Sequence, residues 1–311
     1  MKKHRIGVIG LGKIAQDQHL PVIAKNPAFE LAAVSSQRGL SAGEALSFRS
    51  HAELFAGTPG LDAVAICTPP VVRHAIARDA LAAGLHVMLE KPPTATLSEL
   101  SDLQRFAQEQ GKVLMTTWHS QYNAGVDEAK RRLTGKRVCR LFVNWREDVR
   151  KWHPGQTWIF EAGGFGIFDP GINALSIVTK IMPEPVFVKG ADLFFPSNAD
   201  APIAANVTFS VAGRDGDFTA ELDWRPVERD IWEITVDTED GAELLLSSGG
   251  TRLSVDGRVV VEERPAEYEA IYAHFDQLLG TAMSHVDAEP IRLVADAFLL
   301  GRRKEVDAFT A

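Results

Sequence analysis

Three stretches of the sequence combine residue types and spacings suited to chemistry. The first, Gly10-Leu11-Gly12-Lys13-Ile14-Ala15, is a G-x-G-x-x-A run that follows an apolar strand-length segment and opens a helix-period one. Gly10 permits a tight turn, Gly12 lets a pyrophosphate approach the backbone, and Ala15 allows close helix–strand packing, while the helix N-terminus faces the phosphates. Dinucleotide binding is the expected chemistry; a glycine turn that merely packs is the alternative. At the end of the second strand, where an NAD-binding chain usually places an acid for the ribose hydroxyls, this chain reads Ser35-Ser36-Gln37-Arg38. A guanidinium in place of a carboxylate suits the additional phosphate of NADP, so NADP is expected ahead of NAD. A solvated surface role for Arg38 is the competing account.

The second stretch comprises Cys67-Thr68-Pro69-Pro70, with His74 four residues on, and Leu89-Glu90-Lys91-Pro92-Pro93. Both follow strand-like runs, at the carboxyl ends where open α/β sheets bind ligands. A lysine beside a nicotinamide cation is desolvated and repelled by like charge, which suits it to hydrogen bonding or proton transfer. The third stretch, Ala162-Gly163-Gly164-Phe165-Gly166-Ile167-Phe168-Asp169-Pro170-Gly171-Ile172-Asn173, sets Asp169 and Asn173 four residues apart, one above the other on a helix face.

These groups need a scaffold, and the periodicity supplies one. Apolar runs from Arg5 to Ile9, Leu31 to Ser35, Ala63 to Cys67, His86 to Leu89 and Val113 to Thr117 alternate with helix-period segments. Continuous rather than alternating apolar character predicts a parallel sheet covered on both faces, the doubly wound α/β Rossmann pattern, over residues 1–120. Beyond Gly135 the texture changes. Runs from Val138 to Glu147, Val186 to Phe194, Ala204 to Val211, Phe218 to Trp224, Ile231 to Asp237 and Ala242 to Leu246 read as strands joined by turns such as Glu239-Asp240-Gly241, with helices from Ala266 to Met283 and from Pro290 to Arg302. An α+β domain with a largely antiparallel open sheet is therefore expected over residues 121–311. The later helices are assigned to it because they lie too far along the chain for another nucleotide-binding unit.

Thr68-Pro69 and Glu90-Lys91-Pro92 make the sequence resemble the glucose-fructose oxidoreductase and inositol dehydrogenase (Gfo/Idh/MocA) family. That resemblance implies that Lys91 reaches both substrate and nicotinamide, that the Lys91-Pro92 peptide is cis, and that the Cys67 to Pro70 loop, His74 and Glu90 line the cofactor. The family's Gly-Gly pair, aspartate and histidine correspond to Gly163-Gly164, Asp169 and position 173, where this chain has Asn173. Asparagine orients a hydroxyl but does not take a proton near neutral pH, so Asp169 or Lys91 must serve as base. With Thr117-Trp118-His119-Ser120 and the block from Asn144 to Gln156, the resemblance narrows to the branch that oxidises D-galactose and L-arabinose at the anomeric carbon. It covers the chain from Arg5 to about residue 180.

The reaction so implied is hydride transfer from the anomeric carbon to the nicotinamide with loss of the hydroxyl proton, giving a lactone. Lys91, Asp169 and Asn173 form the expected catalytic group, and His119, Glu147, Trp152 and His153 join them around the sugar. On an alternating strand Cys139, Leu141, Val143, Trp145 and Glu147 share a face, so Glu147 extends an apolar side toward ring hydroxyls, unless it pairs with Arg146 or Arg150. A reductase of a non-sugar carbonyl and a non-catalytic nucleotide-binding regulator of the same fold are the other readings. A formal net charge of −8 argues against nucleic acid and anionic lipid as partners. No segment has the ~20 apolar residues of a membrane span, and the apolar run behind Met1-Lys2-Lys3-His4-Arg5 is broken by Gly7, Gly10 and Gly12, unlike a signal peptide. Cys67 and Cys139 lack ligand spacing and read as reduced core residues, so no metal and a cytoplasmic location are expected, with homo-oligomers formed through the C-terminal sheet.

Overall fold

The computed structural model describes residues 3–310; Met1 and Lys2 of the basic opening lie outside it. Its secondary structure divides into two units, residues up to His119 with Ala266–Ala288, and Ser120–Pro265 with the segment from Glu289 onward.

In the first unit, β1 (His4–Ile9), α1 (Leu20–Lys25), β2 (Phe29–Ser35), β3 (Leu46–Phe48), α2 (His51–Gly57), β4 (Ala63–Ile66), α3 (Pro70–Ala82), β5 (His86–Leu89), α4 (Leu97–Glu109) and β6 (Leu114–Thr116) follow one another. The six strands are parallel in the order β3-β2-β1-β4-β5-β6. β4 is buried at every position, as a strand covered on both faces must be. The strand order reverses beside β1, so the carboxyl ends of β1 and β4 flank the crevice where doubly wound sheets bind ligands. Ser50 and Thr96 start α2 and α4 with capping boxes closed by Glu53 and Glu99.

The second unit contains α5 (Ala124–Leu133), β7 (Val138–Arg146), α6 (Val149–Trp152), α7 (Phe168–Ile181), β8 (Val186–Pro196), β9 (Ala204–Val211), β10 (Asp217–Asp223), β11 (Ile231–Thr238), β12 (Glu243–Ser247), β13 (Arg252–Val255) and β14 (Arg258–Glu262). The chain then forms α8 (Glu267–Thr281), α9 (Glu289–Leu300) and β15 (Gly301–Val306). The nine strands run β14-β13-β12-β11-β7-β10-β9-β8-β15, antiparallel except for β7 with β10 and β8 with β15. α7 lies so close to β10 that a Cβ on Gly171 would meet Leu222 at 2.7 Å.

Three departures from the sequence expectation have physical causes. α8 belongs to the first unit. Its buried Tyr268, Ile271, Tyr272 and Phe275 recur at helical spacing, and Tyr272 and Phe275 pack on Phe29 of β2. The expected helix ending at Arg302 stops at Leu300, and β15 pairs along β8. Cys139 is not on the buried face with Leu141, because the β7–β11 register slips at that point, and both cysteines are half-buried and unbridged. No helix among the described residues is long and apolar enough to cross a membrane.

Candidate functional site

In the first unit, the glycine loop leaves β1 with Gly10 at φ +92°. A Cβ there would lie 2.9 Å from the Thr68 nitrogen and 3.0 Å from the Cys67 carbonyl carbon, so the β1 and β4 loops can meet only around glycine. Gly12 is the opposite case: a Cβ would meet nothing within 4 Å, leaving the room a pyrophosphate needs above a helix running over residues 13–25. Ile14 is half-buried in its first turn, and Lys13 is exposed and paired with Asp17.

Residues 35–38 lie at the carboxyl end of β2, where the ribose of a dinucleotide is expected. Ser35 and Ser36 are buried, with the Ser35 carbonyl accepting from Gly10 N–H at 2.9 Å, while Gln37 and Arg38 are exposed. Arg38 donates to the Leu11 carbonyl at 3.3 Å, holding its guanidinium beside the glycine loop. Arg49, which the sequence reading missed, donates to the Gln37 carbonyl at 3.3 Å and brings a second guanidinium to the same loop.

Lys91 follows β5 and its peptide to Pro92 is cis. Two side chains hold this turn. Arg73, buried in α3 between Pro70 and His74, donates to the carbonyls of Thr68, Glu90 and Pro92 and so ties the two proline loops together. Glu90, expected along the cofactor, is turned inward and only 3% exposed. Its Oε1 accepts from Tyr268 at 2.7 Å and from His19 Nε2 at 3.0 Å, and its Oε2 accepts from the backbone N–H of Lys91 at 2.8 Å. Burial would raise the Glu90 pKa, but the His19 hydrogen bond and charge, with His119 and Tyr268, bring it down to about 2. Burial works against a charge on His19, yet Cys67, Tyr272 and Glu90 around it hold its pKa well above the usual imidazole value. The pair is therefore imidazolium and carboxylate.

Two other first-unit histidines have specific partners. His74 is bonded to Asp102 of α4 at 2.9 Å, a helix–helix contact that accounts for its position. His119 has Nδ1 3.4 Å from Glu267 and stacks on Tyr268 at 5.9 Å, beside the Glu90 cluster.

In the second unit, Gly164 and Gly166 shape the loop into α7. A Cβ on Gly164 would lie 2.1 Å from the Trp158 oxygen, and one on Gly166 2.3 Å from the Pro202 oxygen. The Asp169 N–H then donates to the Gly166 carbonyl at 2.8 Å in the first turn of α7. Asp169 is 4% exposed, Asn173 is half-buried one turn on, and His153 Nε2 lies 3.4 Å from Asp169 Oδ2. The His153 ring meets Trp224 edge-on at 5.1 Å. Glu147 is buried as the alternation predicts, but it accepts from the indoles of Trp224 at 3.2 Å and Trp232 at 2.7 Å. The basic neighbours go elsewhere, Arg146 to Glu221 and Arg150 to Asp148. Trp152 packs on Trp232 at 5.5 Å, and its indole N–H is buried without a protein acceptor. Asp169, His153, Trp224, Glu147, Trp232 and Trp152 thus form one continuous acid, imidazole and indole wall.

Residues 4–118 match the model of an oxidoreductase family with an NAD-binding Rossmann fold. The chain is 45% identical over 311 residues to galactose 1-dehydrogenase of Pseudomonas fluorescens, covering 99% of each protein. Among solved structures, D-galactose-1-dehydrogenase from Rhizobium etli superposes with a TM-score of 0.94 at 47% identity, covering 100% of this chain and 99% of that one. A 3-ketoreductase from Actinomadura kijaniata, solved with NADP, shares the fold at a TM-score of 0.82 and 17% identity, over 98% and 100% of the two chains. With a glycine loop that only glycine can form, a cis Lys-Pro turn and full-length identity to a known dehydrogenase, the chain belongs to the Gfo/Idh/MocA family of oxidoreductases.

Proposed function

We propose that this chain oxidises D-galactose and L-arabinose at the anomeric carbon, with NADP preferred over NAD, and releases the sugar lactone. The observation that carries the reading is the second-unit wall, in which a buried Asp169 paired with His153 continues into Glu147 and three tryptophans. Carboxylate, imidazole and indole groups suit the hydroxyls and apolar faces of a pyranose. L-arabinopyranose has the ring configuration of D-galactopyranose without the exocyclic hydroxymethyl group, so one set of contacts serves both. The full-length similarity to galactose 1-dehydrogenase supports the same substrate class.

Gly10, Gly12, Ser35, Ser36, Arg38 and the Thr68-Pro69 loop would hold NADP, which when bound accepts the anomeric hydrogen as hydride. The chain's own residues manage the proton. Asp169 takes it from the anomeric hydroxyl, Asn173 orients that hydroxyl, and Lys91 stabilises the developing oxyanion. The balance is one hydride and one proton lost from the sugar, leaving a carbonyl at the ring carbon.

The test is an aldose panel run with NAD and with NADP, following absorbance of the reduced cofactor. D-galactose and L-arabinose are expected to turn over with NADP. D-glucose, in which one ring hydroxyl is inverted, should lose about tenfold or more in kcat/KM, because the mismatch leaves a buried partner unpaired at a cost of ~1–3 kcal/mol. Equal glucose turnover overturns the pocket assignment. Nucleotide binding with no turnover of any aldose favours the regulator reading, and reduction of non-sugar carbonyls favours the reductase. The reading also includes a cytoplasmic location and self-association through the nine-stranded sheet, the latter measured by sedimentation.

A further inference from the structure

Glu90 and Lys91 are neighbours at the end of β5, so their side chains leave the backbone in different directions. The Glu90 carboxylate is enclosed in the first unit, where His19, Tyr268 and the Lys91 N–H meet it. Three segments converge on it: the wide helical turn Ala15–His19, which supplies His19, the helix α8, which supplies Tyr268, and the β5 loop itself. On the far side of His19, Nδ1 lies 2.8 Å from the Tyr272 hydroxyl, so α8 grips the cluster twice. As a stabilising device a buried ion pair is inefficient, since desolvation offsets much of its attraction. As a clamp it is effective, because each of its groups has one geometry in which all donors are satisfied. The carboxylate oxygen left over after His19 and Tyr268 accepts from the Lys91 N–H.

We propose that Glu90 is a positioning residue for Lys91, fixing the lysine through its backbone N–H, with His19 and Tyr268 holding Glu90 in place. Arg73 takes the carbonyls on either side, at Glu90 and Pro92, so the Lys91 peptide is held at both its N–H and its flanking oxygens. An amine that must meet a reacting oxygen at hydrogen-bond distance needs such a support, since a displacement of about 1 Å can cost on the order of a hundredfold in rate. α8, whose Tyr268 lies 178 residues after Glu90, thereby sets the position of the lysine. This role rests on the reading that Lys91 serves the reaction.

A double-mutant cycle with Glu90→Gln and Lys91→Ala tests it, measuring the rate of reduced-cofactor formation at saturating D-galactose and NADP, with NADPH binding followed by fluorescence. Glutamine offers one acceptor where three donors converge. In the presence of Lys91, Glu90→Gln should lower kcat about tenfold or more while KM and NADPH affinity stay within about twofold. In the Lys91→Ala background the same change should cost less than about twofold, because the group being positioned is gone. Equal losses in both backgrounds, or an unchanged kcat with Lys91 present, overturn the positioning role alone. Near-normal activity of Lys91→Ala itself overturns the reading of Lys91 and this proposal with it. If Glu90→Gln does not fold, Tyr268→Phe, which removes one donor and keeps the ring, takes its place in the cycle; a loss of about threefold that vanishes without Lys91 supports the role, and an uncoupled loss or none overturns it.

Discussion

The Nε2 of His153 lies 3.4 Å from the Oδ2 of Asp169. The family's histidine position on α7 is filled by Asn173, yet an imidazole reaches the aspartate from the loop that follows α6. Asp169 thus has an imidazole on one side and, one turn along its own helix, an amide able to orient a hydroxyl.

Asp169→Asn keeps the size of the side chain and removes its proton acceptor. It should lower kcat by about 10²–10⁴-fold and leave NADPH binding near normal. His153→Asn and Asn173→Ala should each cost less, since they remove orientation rather than the base. Steady-state kinetics with fluorescence titration of NADPH checks all three; an Asp169→Asn enzyme of near-normal kcat that retains the acidic limb of its pH profile moves the proton-transfer role to Lys91.

If Arg38 holds the additional phosphate as proposed, Arg38→Ala should lower kcat/KM for NADP about tenfold or more and change that for NAD by less than about twofold, because the lost charge would serve that phosphate alone. Arg49→Ala should act in the same direction, its guanidinium lying at the same loop. Equal losses with both cofactors would instead mark Arg38 as part of the loop's structure through its bond to Leu11.

Gly164→Ala places a methyl group 2.1 Å from the Trp158 oxygen and 2.6 Å from the Ile159 carbonyl carbon, backbone atoms that cannot yield without moving the loop. A destabilisation of about 1–3 kcal/mol or more is expected in urea unfolding, with a parallel loss of kcat because this loop leads into Asp169. Gly280→Ala in α8 is the control. A Cβ there meets nothing within 4 Å, and alanine is the better helix former, so stability should hold or rise by up to about 1 kcal/mol.

The charged pair predicts an acid-side stability window. Glu90 has a folded pKa of about 2 against an ordinary 4.5, so the unfolded chain binds its proton first as pH falls. The stability Glu90 contributes is present above about pH 4.5 and is lost as pH drops toward about 2. His19 has the opposite sign: its contribution is full below 6.5 and is lost as pH rises through its higher folded value. Asp102, which the His74 and Arg78 hydrogen bonds hold down to about 2, titrates in the same acid window as Glu90. Melting temperature should therefore fall between about pH 4.5 and 2, and fall less steeply in Glu90→Gln, which retains the share of Asp102 and of the other carboxylates held down by basic partners, such as Glu128 beside Arg131 and Arg132. An unaltered slope in that variant would contradict the assignment.

The nucleotide-binding half was legible because parallel strands leave continuous apolar runs and the glycine spacing has a steric cause at Gly10. The strands missed were short or at edges. β3 is three residues long, β14 is almost wholly exposed, and β15 reads Arg302-Arg303-Lys304-Glu305, a polar run that pairs only because β8 offers an edge. Helical spacing identified α8 as a helix but carries no information about the layer that covers its apolar face. The alternation correctly turned Glu147 inward, whereas its partners Trp224 and Trp232 lie 77 and 85 residues away and left no local sign. Arg73 was within reach, lying between two residues singled out for the cofactor; His19 was not, because a histidine inside a helical segment gives no indication that a carboxylate 71 residues later will bury itself against it.

The interruption of the first unit by Ser120–Pro265 has a consequence during synthesis. All six parallel strands emerge from the ribosome before α8 exists, and at roughly 5–20 residues per second the intervening segment takes on the order of ten seconds to translate. Through that interval Glu90 and His19 lack both tyrosine hydroxyls, and Phe29 lacks the rings of Tyr272 and Phe275. The nascent nucleotide domain is thus an open, unsealed layer until its last helix returns, so a nascent chain arrested before Ala266 would be the form most exposed to proteolysis and chaperone capture.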